Sequence, residues 1–519
     1  MASSPAIAFI GFMGAGKTTM AHRAGRVLGL DVADTDALIE ADAGRKIPTL
    51  FAELGENGFR EIEERVTLAA LERGGAVSLG GGAVENDRIR EALKAHVTVW
   101  CQVTEELAWN RCAGTDRPLA RNRDGFRRRF SAREPLYAEV ARVVLPVDRE
   151  PPDEALAWIG ALRETSDARL IWARSASGQY PAVIGAGATN VLAATGVPAP
   201  GARTFAVADR AAFAATGALM PASEEPVIEA DGGEEAKTLA AAEAVIERLV
   251  SAGVRRDDAL LAFGGGVVGD LAGFCAAVFQ RGIPVVQVPT TLVAQVDSAY
   301  GGKTGVDLPA AKNYVGAYHQ PAAVLADPAA LRTLPREELA AGFAEVVKTA
   351  LIAGDPLWDG VRSLKTVDAE TVAPFVFDCA RTKLEVVAAD ERDGGRRAVL
   401  NLGHTVGHAI ETVSGYARYR HGEAVALGML AALRLSGRDD LRAEVGGILG
   451  RAGLPTELDR AVELDAVIGA TGRDKKRTSA GVPFVLVNGP GDVSHGHEVD
   501  ADSLRAAVNE LYETQAATS

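Results

Sequence analysis

AIAFIGFMGAGKTTMAHRAGRVLGL, residues Ala6 to Leu30, sets a short apolar run, a glycine-rich turn and an amphipathic segment in direct succession. Ala6 to Ile10 reads as a strand, Gly11 to Thr18 satisfies GxxxxGK[ST], and the following stretch reads as a helix with Met20, Ala24, Val27 and Leu28 inward. That order opens a parallel α/β sheet. Glycines let backbone N–H groups wrap a phosphate, Lys17 neutralises the β- and γ-phosphates, and the Thr18 hydroxyl can hold Mg²⁺. Four further apolar runs, Val32 to Ala33, Ala76 to Leu79, Val97 to Cys101 and Val143 to Val147, complete a five-stranded sheet with helices between them.

Ligands of such sheets sit at the carboxyl ends of the strands. There the sequence offers Asp34 and Asp36 in DTD, then Gly80, Gly81 and Gly82. Helix capping accounts for one of the two aspartates and not for both. Arg60 in GFREIEERV has Glu64 one helical turn on as an ordinary ion-pair partner. The segment from Arg111 to Arg133 adds Arg117, Arg121, Arg123, Arg127, Arg128 and Arg129 against only two aspartates, a bias that suits a cationic lid over ATP and an anionic acceptor.

Length and charge set the frame around this segment. The chain has 519 residues, enough for two or three domains, with 47% hydrophobic and 24% charged residues, as in soluble globular proteins. A net charge of -14 disfavours nucleic acid and anionic membrane as partners. Four cysteines without a CxxC pair fit a cytoplasmic protein and leave any zinc to histidine and carboxylate. A polar linker ends near residue 167, and a new strand begins with LIWARS at Arg169 to Leu170.

The remaining residues also alternate strand and helix at first. Gly264, Gly266 and Gly269 satisfy GxGxxG, which suggests a pyrophosphate on a helix N-terminus. The acid expected about 20 positions on is missing, and Asp209, upstream, is left to meet a ribose. Asp297, Lys303, Lys312 and Asn313 crowd one polar stretch, and Lys348, Lys383, Arg397 and Asn401 lead towards NLGHTVGHAIETVSGYARYRHGE, Asn401 to Glu423. His404 and His408 stand four apart on one helical face, a spacing zinc can use, with Glu345 in an apolar run as the third candidate; the same spacing also suits solvent-facing or core-bonded histidines.

Taken together, GFMGAGKT, DTD, FREIE, the triple glycine, RPLA and REPLY resemble the shikimate kinases in order over about 160 residues. The resemblance implies that Asp36, Arg60, Gly82 and Arg133 hold shikimate, with Asp36, Lys17 and Arg60 catalytic. It implies an ATP set of Gly14, Ala15, Gly16, Lys17, Thr18, Thr19 and Arg117, and Mg²⁺ on Thr18 and Asp34.

GEEAK, GGGVVGDLAGF, QRGI, VPTTLVAQVDSAYGGKTGV, KNYVGAYHQP, GFAEVVK, DERDGGRRAVLNLGHTVGHA and HGEAVALGM resemble 3-dehydroquinate synthase over about 340 residues. This second resemblance implies an α/β NAD-binding half, a mainly helical metal-binding half and a zinc (or cobalt) ion on Glu345, His404 and His421, with His408 moved to the substrate side. It implies NAD contacts from Asp209, Glu234, Lys237, Gly266, Val267, Asp270, Thr290, Thr291, Lys303, Lys312 and Thr333. The substrate 3-deoxy-D-arabino-heptulosonate 7-phosphate falls to Asp297, Lys303, Lys312, Asn313, Lys348, Lys383, Arg397, Asn401, His408, Arg281 and one of Lys475 and Lys476, with Lys303, Lys348, Lys383 and His408 catalytic. Arg281 matches an arginine that reaches a neighbouring subunit, which implies a homodimer. The expected division is 1–167 for the kinase, 168–333 for NAD and 334–519 for metal and substrate. A polyol dehydrogenase or another sugar-phosphate cyclase for the second half, and a nucleotide-sensing module for the first, are the rival readings.

Overall fold

The computed structural model describes residues 4–113, 122–309, 311–472 and 483–512. The chain forms two compact units, Met1–Trp172 with Pro181–Val197, and Ala173–Tyr180 with Pro198–Ser519.

In the first unit, β1 (Ile7–Ile10), β2 (Val32–Asp34), β3 (Ala76–Ser78), β4 (Val97–Gln102), β5 (Val143–Pro146) and β6 (Arg169–Arg174) follow the order β2-β3-β1-β4-β5-β6. Every pairing is parallel. Ile7 pairs with both Ala76 and Val97, so β1 is central, and its unbroken apolar run reflects burial on both faces. The phosphate loop therefore leaves the middle of the sheet.

The helix Lys17–Leu28 starts from Gly16 at φ 76° and stops at Gly29 at φ 65°, both in the left-handed region that glycine adopts without strain. Its buried face comprises Met20, Ala21, Ala24 and Gly25. Val27, expected inward, is 36% exposed. The helix meets β2 through Gly25, where a Cβ would lie 2.3 Å from Val32 Cγ2, and that contact turns Val27 to the rim.

After β7 (Gln179–Ile184), most of which belongs to the first unit, the second unit has β8 (Thr204–Asp209), β9 (Glu224–Ala230), β10 (Ala259–Gly264), β11 (Val285–Pro289), the hairpin of β12 (Lys303–Leu308) and β13 (Ala311–Tyr318), and β14 (Ala323–Ala326). The parallel order here is β14-β11-β10-β8-β9. β8, first in sequence, lies inside the sheet beside β10, and this reversal of strand order opens a crevice at the carboxyl ends.

Helices follow. Arg336–Ala353 is buried without a break from Leu339 to Leu351, which places Glu345 and Lys348 in an apolar interior. His404–Val413 and His421–Leu435 pack on one another with glycine at the contacts: a Cβ on Gly428 would lie 1.9 Å from Gly403 O, and one on Gly407 3.0 Å from Ala424 O. Gly422 likewise admits the backbone of Ala341, since a Cβ there would lie 1.9 Å from its carbonyl oxygen. His421, next to Gly422, is thereby set one helical turn from Glu345. Among the described residues no helix is long and apolar enough to cross a membrane.

Candidate functional sites

In the first unit the turn after β1 has Gly11, Gly14 and Gly16 at positive φ, the conformation that turns backbone N–H groups inward. Lys17 Nζ donates to Phe12 O at 3.2 Å, and a Cβ on Gly81 would lie 3.8 Å from it. Gly80–Gly82 thus runs alongside the phosphate loop. Thr18 Oγ1 donates to Asp34 Oδ2 at 2.8 Å, which assembles the two expected Mg²⁺ residues. Asp34 also caps its helix by accepting from Ala37 N. Asp36 sits in the first turn of that helix, its Oδ1 2.9 Å from where a Gly80 Cβ would stand.

Arg60 pairs with Glu63 at 2.6 Å, in place of the Glu64 expected from the sequence. Glu64 faces the other way, to Arg88 and Asn86. Glu63 is buried; desolvation pushes its carboxyl up, and Arg60 partly offsets that. Arg60 and the buried Arg133 both reach Glu85, at 2.7 and 3.0 Å. Tyr137 Oη donates to Gly81 O at 2.5 Å and fixes the glycine turn from the arginine helix.

The arginine-rich segment is not one lid among the described residues. Arg111 donates to Gly14 O and Val147 O, Arg123 and Arg127 pair with Glu105, and Arg133 turns inward. Arg117 and Arg121 lie outside the described residues, as do Lys475 and Lys476.

In the second unit a cavity of about 1270 Å³ opens at the carboxyl ends of β8, β10 and β11. Asp209, Glu234, Lys237, Gly266, Val267, Asp270, Thr290, Thr291, Lys312 and Thr333 line it, as do Asp297, Asn313, His408 and His421. Gly265 and Gly266 begin the helix Gly266–Val278 without a side-chain cap, and Ser298 Oγ is buried with no hydrogen-bond partner, 2.9 Å from where a Gly266 Cβ would stand. Uncapped N–H groups beside an orphaned hydroxyl fit a phosphate. Lys237 holds Asp270 at 2.5 Å and Asn313 at 2.6 Å. Burial pushes the Asp270 carboxyl up, with Lys237 pulling the other way.

Glu345, His404 and His421 converge, their candidate ligand atoms within 4.8 Å of one another. Glu345 Oε1 lies 3.6 Å from His404 Nε2 and 3.4 Å from His421 Nε2, while Oε2 lies 2.5 Å from Lys348 Nζ. Glu345 is wholly buried and neither oxygen makes a well-aligned hydrogen bond. Burial opposes its charge, but Lys348 and the two imidazoles outweigh it and hold the carboxyl well below the usual range. Burial keeps His404 neutral, and its Nδ1–H donates to Leu402 O at 3.1 Å, so the Nε2 lone pair faces Glu345. Burial disfavours charge on His421 too, yet Glu345 and Glu411 push it up to about 10. One carboxylate and two imidazoles whose ligand atoms converge make a donor set that fits a divalent cation.

His408 is outside this trio and groups with Glu411 and His421, although its ring, like that of His421, lies 5.2 Å from that of His404. The i, i+4 spacing thus brings the two rings together but splits their partners. Beyond Glu345 the charges alternate: Lys348 lies 3.6 Å from Asp297, which bonds Lys383. Lys303 pairs with Asp393, as Arg397 does at 3.8 Å, and Asn401 donates to Ala398 O. Lys303, Arg397 and Asn401 do not line the cavity. Arg281 is exposed at φ 69°.

Sequence reasoning missed Glu63, Glu85, Ser298, Asp393 and Glu411. Only Glu411 left a local signal, three residues after His408 on one helix face, a spacing that suits a carboxylate serving a histidine.

Three family models match the chain. The family model of the N-terminal part of 3-dehydroquinate synthase matches residues 227–341, that of its C-terminal part residues 342–477, and that of shikimate kinase residues 13–161. The 3-dehydroquinate synthase of Halorhodospira halophila is 43% identical over 348 residues, 62% of this chain and 94% of the relative. That of Methylococcus capsulatus is 47% identical over 286 residues, 53% and 79% of the two chains. Similar solved structures are a 2-deoxy-scyllo-inosose synthase complexed with carbaglucose-6-phosphate, NAD⁺ and Co²⁺ (TM-score 0.57, 25% identity, 66% of this chain and 99% of that one), and a 2-epi-5-epi-valiolone synthase from Streptomyces hygroscopicus with NAD⁺ and Zn²⁺ (0.58, 25%, 64% and 96%). The chain belongs to the 3-dehydroquinate synthase family and carries a shikimate kinase domain ahead of it, so that a phosphotransferase and a lyase of the shikimate pathway are fused in one polypeptide.

Proposed function

We propose that the two activities divide over residues 1–167 for the kinase, 168–333 for NAD and 334–519 for metal and heptulosonate. The single observation that carries the synthase assignment is the convergence of Glu345, His404 and His421, with both Glu345 oxygens buried and neither in a well-aligned hydrogen bond. A divalent cation, Zn²⁺ or Co²⁺ as in the similar structures, completes that set, and NAD⁺ takes the cavity. When bound, the two supply Lewis acidity at a substrate hydroxyl and an acceptor for its hydride.

The protein's own groups bind and orient. Lys303, Lys312, Asn313, Lys348 and Lys383 meet the phosphate and hydroxyls of 3-deoxy-D-arabino-heptulosonate 7-phosphate, Arg397 and Asn401 its carboxylate, and His408 the hydroxyl side, all by charge-assisted bonds. Lys383, whose charge is opposed first by burial and then by Lys348, is the cation most ready to exchange Asp297 for a substrate anion. Phosphate leaves and the carbocycle of 3-dehydroquinate closes without net redox change.

In the kinase, Lys17 and the glycine turn hold the phosphates of ATP, Thr18 and Asp34 serve Mg²⁺, Asp36 accepts from the shikimate hydroxyl that attacks, and Arg60 and Arg133 meet its carboxylate. Cys101, Cys112, Cys275 and Cys379, all buried and outside any disulfide, support a reducing, cytoplasmic setting. The exposed Arg281 supports a homodimer.

The test is to assay the purified chain with each substrate alone, with and without chelator. Phosphate release from the heptulosonate should need NAD⁺ and be lost with chelator in the absence of Mg²⁺-dependent ADP formation as a confounder, and NADH should not accumulate. Accumulating NADH would point to a dehydrogenase, and chelator-resistant phosphate release would remove the metal from the assignment.

A further inference from the structure

Glu85 closes the short helical turn Ala83–Glu85 that follows Gly80–Gly82. Its carboxylate takes three hydrogen bonds from two guanidinium groups. Arg133 Nε reaches Oε1 and Nη2 reaches Oε2, each at 3.0 Å, a two-pronged contact, and Arg60 Nη2 reaches Oε2 at 2.7 Å. Gly82 forms the floor: a Cβ there would lie 2.6 and 2.8 Å from the Arg60 nitrogens and 3.1 Å from Arg133 Nη2. Two arginines held over a bare backbone make a seat for one carboxylate.

The partners differ in how firmly they are held. Arg133 is buried, and Arg60 is tied on its other side to the buried Glu63. Glu85 has 39% of its side chain exposed and sits at the end of a three-residue turn. The arginines are fixed while the carboxylate faces water and can swing into it, provided that another carboxylate takes the seat and keeps Arg133 compensated.

We propose that Glu85 is an internal stand-in for the acceptor's carboxylate, occupying the Arg60–Arg133 seat until a carboxylate substrate displaces it, and so setting the acceptor affinity and selectivity of the kinase. This rests on the assignment of that seat to the shikimate carboxylate. The stand-in keeps Arg133 compensated in the free protein, where a buried and unpaired cation would be costly. It also sets a threshold for entering the seat: a carboxylate gains the whole two-arginine contact in exchange for the one Glu85 gives up, whereas an ester or alcohol gains nothing that repays the displacement and binds with Glu85 still in place.

The experiment uses the full chain and two variants, Glu85→Gln, which keeps the volume, and Glu85→Ala, with Arg133→Ala as the reference. Steady-state kinetics are measured for shikimate and its methyl ester, and shikimate binding without ATP by calorimetry. Both Glu85 variants should lower the KM and the dissociation constant for shikimate by about tenfold, one charge-assisted bond's worth, with kcat at saturation unchanged and the KM for the ester unmoved. If both variants leave shikimate affinity unchanged or weaken it while Arg133→Ala raises the KM, Glu85 merely orients the arginines and the proposal falls with the seat intact. If Arg133→Ala leaves the shikimate KM unchanged, the seat assignment itself falls, and the proposal with it.

Discussion

Replacing Glu345 by Gln removes one charge and almost no volume from the centre of the synthase half. The side chain is wholly buried, with Lys348 Nζ at 2.5 Å and the imidazoles of His421 and His404 at 3.4 and 3.6 Å. At an effective dielectric of about 20 the gross attraction to Lys348 is about 7 kcal/mol. Most of it repays desolvation, and Lys348 keeps Asp297 at 3.6 Å, so the net loss falls at the low end of the range for breaking a buried pair, about 3 kcal/mol. The fold of this unit should survive. Metal binding should not: even an outer partner of a ligand is worth about 10- to 100-fold in affinity, and here a charged donor itself is lost. Zinc per chain after dialysis, measured by elemental analysis, should drop to background, phosphate release from the heptulosonate should fall by more than about 1000-fold, roughly 4 kcal/mol, and shikimate-dependent ADP formation should persist. A variant that keeps one tightly held zinc per chain, or phosphate release within tenfold of the parent, refutes the reasoning.

Four further outcomes follow from the same contacts. Lys17→Ala should abolish ADP formation and leave phosphate release from the heptulosonate intact; retained kinase turnover would mean the ATP assignment is wrong. Glu411→Gln removes the carboxylate 3.5 Å from His421 Nδ1 and should weaken zinc by about 10- to 100-fold in chelator competition, with partial recovery in Glu411→Asp. Gly82→Ala would push a methyl group to 2.6 Å from Arg60 Nη1, so the shikimate KM should rise while the ATP KM stays. Asp258, buried, takes backbone and guanidinium bonds from Arg203 and Arg255, which hold its carboxyl below the ordinary 3.8 despite burial. Its contribution is therefore complete above that value and is lost as pH falls through the depressed one. Asp258→Asn should cost about 2 kcal/mol in denaturant unfolding at pH 7, and the gap to the parent should narrow below about pH 4.

The parts of this fold that were legible are those set by neighbours in sequence. The strand, glycine turn and helix of Ala6 to Leu30 follow from local periodicity, and β2 to β5 formed within a residue or so of the expected runs. Val27 was misplaced because the helix leans on β2 through Gly25, a contact made across the turn and invisible to periodicity. Spacing alone paired His404 with His408, an acid in an apolar run added Glu345, and only the longer resemblance pointed to His421. The reason lies in Gly422, Gly407 and Gly428, whose missing side chains let three helices touch backbone to backbone. Glycine inside a helix looks unfavourable in sequence, and here it decides which residues meet.

The residues that stayed hidden share a sign. Glu63, Glu85, Asp393 and Glu411 are 4 of 69 acidic residues, and apart from the spacing of Glu411 from His408 nothing local marks them as partners of a site. Their role follows from where the cations are. Lys348, Arg133 and Arg397 are almost fully buried, and each would be costly to hold charged without a counter-ion. The fold supplies one in every case: Glu345, Glu85 and Asp393 respectively. Along Glu345, Lys348, Asp297 and Lys383 the charges alternate and cancel. Neither site is a bare cationic seat waiting for an anion, and with a net charge of -14 the protein as a whole does not attract one. An anionic substrate gains at either site by taking over a partner the chain already provides, so its affinity depends on how readily each internal carboxylate gives way. Exposed Glu85 should give way easily and buried Glu345 should not, which is the difference the proposed substrate seat and metal ligand require.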